Sequence, residues 1–283
     1  MSLAVEAREA APTVPAPRRP RRRWTRFVLP SYVALVILYL MTPIFMIVLY
    51  GFNQTGSAKR ITVSYVWHGF TLDWYRHLFQ IPDLTDALRT SLVLAAASTV
   101  IATILGTLVA LALVRYRFRG RGATDVVLFA NIAAPEIVLG ASLLSLFVLL
   151  NVQRGFQTLL IAHVMFSIAY VTVTVRTRLA GFDRSLEEAA QDLGAGPLTT
   201  FRLVTLPLIF PGILAGALLA FALSIDDFVI TQFNAGQKVT FPLWVFGVSR
   251  VGIPPQVFVM GTLIFMFGVV VALTNVLLQR RKV

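Results

Sequence analysis

The stretch Leu186–Gly212, LEEAAQDLGAGPLTTFRLVTLPLIFPG, decides how the whole chain is read. It is a charged, polar loop between two long apolar segments in a chain that is otherwise mostly apolar. Ser185-Leu186-Glu187-Glu188 has the form of a helix start. Ser185 can cap, Glu188 stands three residues on as in a capping box, and acidic residues in a first turn suit the helix dipole. Leu186, Ala189, Ala190 and Leu193 then form an apolar stripe whose small residues allow a partner to come close. Gly194 and Gly196-Pro197 stop the helix, and Leu206-Pro207 and Pro211-Gly212 turn the chain into the next apolar segment. The expectation is a short, rigid, amphipathic helix lying along a membrane surface.

The rest of the composition sets that helix in a membrane protein. Of 283 residues, 57% are hydrophobic and only 13% charged, and the mean hydropathy is +0.77. A soluble domain of this size needs far less apolar surface. With no cysteine, disulfides, thiolate metal sites and cysteine nucleophiles are excluded. A net charge of +12 could suggest nucleic-acid binding, but the placement of the charges points to membrane topology instead, and no nucleic-acid partner is expected. No segment fits a phosphate-binding loop ending in Gly-Lys-Ser/Thr, and no nucleophile–base or ligand cluster appears, so no enzymatic chemistry is expected in this chain.

Six apolar segments, roughly 28–50, 90–113, 124–150, 157–175, 208–230 and 256–278, are each near or above the ~20 residues a membrane-spanning helix needs. The run from Val28 is too long for a signal-peptide core and lacks a convincing small-residue cleavage site, so it reads as an uncleaved span. Residues 1–27 form a separate zone with seven arginines and four prolines, expected to be a disordered cytoplasmic tail that anchors on anionic headgroups. Residues 28–283 form the membrane domain. With both termini on one side, that side carries eighteen Lys and Arg and the other seven. The positive-inside rule therefore makes it cytoplasmic, the Leu186–Gly212 loop included. In the first outer loop, 51–89, apolar residues at 72, 75, 78 and 79 share a helical face, and Trp67, Trp74 and Tyr75 suit the interface. The loop reads equally as an interfacial anchor or as a platform for an external protein. No internal repeat suggests a secondary transporter.

Three acidic residues lie away from the ends of the inner loops, deep within the predicted spans: Glu136, Asp226 and Asp227. Charges at membrane depth are costly and face a cavity or a partner. Glu136 follows Pro135, which denies the Asn131 carbonyl its usual partner and favours a kink. Asp226 and Asp227 come late in the fifth span and point about 100° apart, so at most one faces a pathway squarely, leaving the other to bond backbone or a neighbouring helix. His163 and Asn131 also lie in spans. A lone histidine with no neighbouring ligand reads as a hydrogen-bonded packing residue, and no metal is expected. Gly106, Gly140, Gly212 and Gly216 read as points of close helix approach.

Glu188-Ala189-Ala190, Gly194, Val204 and Leu206-Pro207 together resemble the EAA loop of ABC-importer permeases. The likeness covers the chain from the first span to the last. Asp73-Trp74-Tyr75 with Leu78-Phe79, Ala134–Gly140 and Ser224–Thr231 bring it closest to the spermidine/putrescine permease branch. The resemblance implies an all-α type I permease fold: six membrane helices and a cytoplasmic coupling helix, in the bacterial inner membrane. It implies two ATPase subunits that bind ATP and Mg, a second permease forming a heterodimer, and an extracytoplasmic solute-binding protein. On that likeness Leu186, Glu188, Ala189, Ala190, Leu193 and Gly194 would contact the ATPase, and Glu136, Asp226 and Asp227 would line the path of a polyamine or related organic cation. Ferric iron, an opine or another solute is the alternative cargo. A stand-alone channel or ion-driven transporter is the alternative class, and the coupling loop argues against it.

Overall fold

A computed structural model describes residues 25–55, 62–63 and 65–280. The arginine-rich tail, Lys59, Arg60, Arg281 and Lys282 lie outside the described residues. The described chain is helical, with one isolated antiparallel bridge between Asn53 and Phe70. The helices are α1 (Thr25–Tyr50), α2 (Asp73–Arg76), α3 (Pro82–Arg115), α4 (Arg121–Ala133), α5 (Glu136–Leu149), α6 (Phe156–Ala180), α7 (Ser185–Asp192), α8 (Pro197–Thr200), α9 (Leu206–Asp226), α10 (Val229–Asn234), α11 (Phe241–Ser249) and α12 (Pro255–Arg280). A π-helical turn, Phe201–Thr205, joins α8 to α9.

Among the described residues four helices are long and apolar enough to cross a membrane: α1, α3, α6 and the continuous stretch Pro197–Asp226. The pair α4–α5 passes the same test together but is bent by 111°. In α12 the apolar stretch described is the shorter Pro255–Val271. Six spans are reached only by counting both of these. The bend falls where Pro135 follows Ala134, and Ala134 takes the extended conformation that a following proline imposes (φ −70°, ψ 137°). The kink expected at Pro135 is thus a full corner, and Glu136 opens the helix beyond it.

Two boundaries differ from those read in the sequence. Helix α3 begins at Pro82, not near residue 90, and runs 34 residues, about 50 Å at 1.5 Å per residue. Its polar start still buries one face, through Leu84, Ala87, Ser91, Leu94 and Ala95. The chain is also helical from Pro197 through Pro207 and Pro211, where a turn was expected. The π turn lies immediately before Pro207, with Leu206 N–H bonded to the Phe201 carbonyl. Its wider winding takes up the crowding that a proline ring brings to the preceding turn.

Helices α3, α6 and α9 form the centre of the bundle. Their shared core holds Ala102, Ala110, Val171, Val175, Ile209 and Ala220. A Cβ on Gly106 would stand 2.8 Å from Val171, one on Gly216 3.3 Å from it, and one on Gly212 2.7 Å from Arg178 Cβ. These glycines let the three helices close on one another, as the sequence predicts. Helix α5 packs on α10, where Gly140 faces Phe233 and Ile230. Helix α1 lies against α12, its apolar stretch otherwise uncovered.

The outer loop forms less helix than its pattern suggests. Among its described residues ahead of α3, only Asp73–Arg76 is helical. Trp74, Tyr75 and Leu78 pack against Val257 and Met260 of α12, and Trp74 Nε1 donates to the Asn53 carbonyl at 2.9 Å. Leu72 and Phe79 are exposed, so the four apolar positions do not share one buried face.

Candidate functional site: an acidic corner and a surface helix

Helix α9 ends at Asp226, and the chain turns at Asp227 into the short α10. Breaking a helix inside an apolar bundle frees backbone groups that have no water to bond. Asp227 meets that need. Its carboxylate accepts from Ile230 N at 3.2 Å, Thr231 N at 2.8 Å and Thr231 Oγ1 at 2.7 Å. Only 8% of Asp227 is exposed, and its Oδ2 lies 3.5 Å from His163 Nε2. Asp227 therefore caps the corner and faces His163 on a neighbouring helix.

Asp226 is the carboxylate on the open side. It is exposed and borders a groove of about 650 Å³ between α9, α11 and α12. Phe228, Phe241, Phe246 and Phe265 form much of the wall, with Ser249 beside them. Phe228 and Phe246 lie 4.6 Å apart between ring centroids, and the Arg250 guanidinium sits 5.5 Å above the Phe246 ring. Glu136 is also exposed and lies close enough to Asp226 to act on its charge. Asp226 thus faces an open groove with Glu136 in electrostatic range, and Asp227 holds the corner together.

A buried polar chain runs behind it. His163 Nδ1 pairs with Ser224 Oγ at 2.7 Å and its Nε2 with Thr231 Oγ1 at 3.1 Å. Ser98 Oγ donates to Ser224 Oγ at 3.0 Å. The chain joins α3, α6, α9 and α10. His163 is thus hydrogen-bonded within the core, as expected of a packing residue. Asn131 Nδ2 donates to the Met165 carbonyl at 3.0 Å, fixing α4 to α6 just before the break.

At the end of the bundle where α3 finishes, α7 forms the predicted surface helix over Ser185–Asp192. Its start differs from the capping box. Ser185 is the first helical residue and Asp183 caps it, accepting from Ser185 N at 3.0 Å. That bond holds the Asp183 carboxyl below the usual aspartate range. Its end is a Schellman motif: Gly194 N–H bonds Gln191 O at 2.8 Å and Ala195 N–H bonds Ala190 O at 3.0 Å. Gly194 takes φ +87° in open space, so the glycine is required for conformation alone.

Leu186, Glu188, Ala189, Leu193 and Gly194 are exposed, Leu193 by 90%, and Ala190 is half-buried. Glu187 turns the other way, onto Arg115 and Thr205. The sequence reading gave Glu187, Arg115 and Thr205 no inward contact, and gave Ser98, Ser224 and Thr231 no bonding role. The hydroxyls within apolar helices, with His163 in another, were the available signal.

Residues 102–283 match the family described as "Binding-protein-dependent transport system inner membrane component". The chain is 38% identical over 257 residues to the spermidine/putrescine transport system permease protein PotC of Haemophilus influenzae, covering 90% of this chain and 98% of that one. It is 43% identical over 234 residues to the putrescine transport system permease protein PotI of Escherichia coli K12, covering 80% and 81%. Among solved structures it resembles a chain of a bacterial ABC transporter involved in import of the acidic polysaccharide alginate, at 17% identity and a TM-score of 0.65, over 91% of this chain and 96% of that one. It also resembles a chain of the MetNI methionine ABC transporter in an inward-facing form, at 15% identity and a TM-score of 0.55, over 75% and 99%. At such identities these structures speak for the fold alone. The chain belongs to the family of inner-membrane components of binding-protein-dependent transport systems.

Proposed function

We propose that this family member is one of two membrane-spanning subunits of an ATP-driven importer for polyamines, and that it carries its cargo by alternating access. The observation that carries the cargo reading is the acidic corner. Asp226 borders an aromatic groove with Glu136 in electrostatic range, and Phe246 already accepts one cation, Arg250, on its face. An extended cation with several ammonium groups would exchange hydration for carboxylates and aromatic faces there. The relatives named for spermidine and putrescine transport support the same cargo.

ATP and Mg bind to a separate ATPase subunit on this reading. The exposed face of α7, with Leu186, Glu188, Ala189 and Leu193, docks there on the cytoplasmic side, the side assigned by the positive-inside rule. The opposite end has a groove of about 700 Å³ bordered by Asp83, Asp86, Arg89 and Lys238, and it receives the extracytoplasmic binding protein. The test is substrate-stimulated ATP hydrolysis by the reconstituted complex across polyamines, amino acids, sugars and ferric iron. Stimulation by putrescine or spermidine is expected. Stimulation by a different solute overturns the cargo, and failure to assemble with any ATPase overturns the class.

A further inference from the structure

We infer that Glu187, Arg115 and Thr205 form a tether that makes α7, the end of α3 and the start of α9 move as one body. The push on α7 is thereby delivered straight into the three-helix core. This rests on the coupling role proposed for α7.

Two adjacent glutamates divide the work of the helix. Residues one apart point about 100° apart, and here Glu188 faces outward while Glu187 faces the bundle. Arg115, the last residue of α3, bonds through Nη2 to Glu187 Oε1 and to Thr205 Oγ1, the latter at 3.3 Å. Thr205 Oγ1 in turn donates to the same Glu187 oxygen, closing a triangle. Thr205 is fully buried and ends the π turn that leads into α9. The Glu187 and Arg115 side chains are 16% and 27% exposed, so this is not a solvated surface pair of the kind that contributes little. A second tie runs from Arg184 Nη2 to the Val114 carbonyl at 3.3 Å.

Without these bonds α7 would hang on two short connectors, 181–184 and 193–196, that contain Gly181, Gly194 and Gly196. Such connectors would bend under load. With the bonds, displacement of α7 carries α3 and α9 with it. Both helices also join the Ser98–Ser224–His163 chain that ends at Asp227, so the moving body reaches the acidic corner through continuous contacts.

The test uses the full reconstituted transporter and reads putrescine moved per ATP hydrolysed. Glu187→Gln and Arg115→Gln are each expected to lower that ratio about fivefold or more, with ATPase co-purification unchanged. The charge-exchanged pair, Arg115→Glu with Glu187→Arg, is expected to recover most of it. Parental ratios in both single variants overturn the tether. The chain has no cysteine, which allows a second test should these variants fold poorly. In Arg115→Cys with Glu187→Cys, a short thiol cross-linker is expected to restore a ratio that is low without it. Arrest of transport on cross-linking would mean that the two helices part during the cycle, and would overturn the tether. Loss of ATPase co-purification would instead strike the docking reading, and absence of putrescine movement by the parent would strike the cargo reading.

Discussion

Neighbouring aspartates at the acidic corner should behave oppositely when altered. Asp227→Ala removes the acceptor for two backbone amides and one hydroxyl and leaves His163 without its carboxylate. Losing an N-cap costs about 0.5–2 kcal/mol, and leaving a buried donor without its acceptor about 1–3 kcal/mol. One carboxylate serves both, so the terms overlap and the loss should be about 1–3 kcal/mol. Asp227→Asn keeps an oxygen for the amides and should lose less. Asp226→Asn disturbs no hydrogen bond to another described residue and should stay within about 0.5 kcal/mol of the parent, yet it should weaken cation uptake. The assay is the fraction of intact complex after a heating series, by size exclusion in detergent, beside uptake in vesicles. A thermally stable Asp227→Ala complex, or Asp226→Asn and Asp227→Ala equally unstable, would refute the division of roles.

Three further outcomes can be checked. Gly194→Ala forces a side chain into φ +87° with no steric clash, so it should cost about 1–2 kcal/mol. The cost should fall on α7, read as weaker ATPase binding with the membrane bundle's heat resistance unchanged. Gly106→Ala drives a Cβ to 2.8 Å from Val171, and the overpacked α3–α6 contact should lower stability by about 1–3 kcal/mol, measured by heating the purified complex. Glu188→Lys should abolish ATPase co-purification while insertion into the membrane stays normal, and undiminished co-purification in this variant would count against docking through α7.

Much of the architecture was legible because lipid leaves the backbone few choices, and long apolar runs must be helices. What escaped were helix extents at polar ends. Asp83, Asp86 and Arg89 made the start of α3 look like loop, although Leu84, Ala87, Ser91 and Leu94 already keep helical spacing. The prolines at 207 and 211 suggested a turn, and a π turn accommodates Pro207 instead. At the corner, composition could flag Asp226 and Asp227 but could not assign them. Which one bonds backbone depends on the corner falling between them, and that is a matter of tertiary packing of α10 on α5. For α7, Glu188 and Gly194 were readable from spacing. The inward bond of Glu187 depends on Arg115 and Thr205, distant in sequence, and no local pattern reports such a contact.

The break in α9 also bears on why the corner would favour a cation. Asp226 is the last residue of a 21-residue helix, the end whose unpaired carbonyls carry partial negative charge and disfavour a carboxylate. Asp227, the next residue, and Glu136 add like charge. Glu136 itself opens α5, where the helix dipole suits it, and Asp227 is satisfied by amides, a hydroxyl and His163. Asp226 makes no side-chain hydrogen bond to another described residue, and it alone of the adjacent pair faces open space. It is therefore the less compensated of the two and the one a solute could reach. A cationic cargo would relieve that potential as it enters, and an anionic one would add to it. The same geometry would limit how tightly a cation could be held, since Asp226 borders an open groove and not a closed cage. A site that must release its cargo to the other side in each cycle has to meet that requirement.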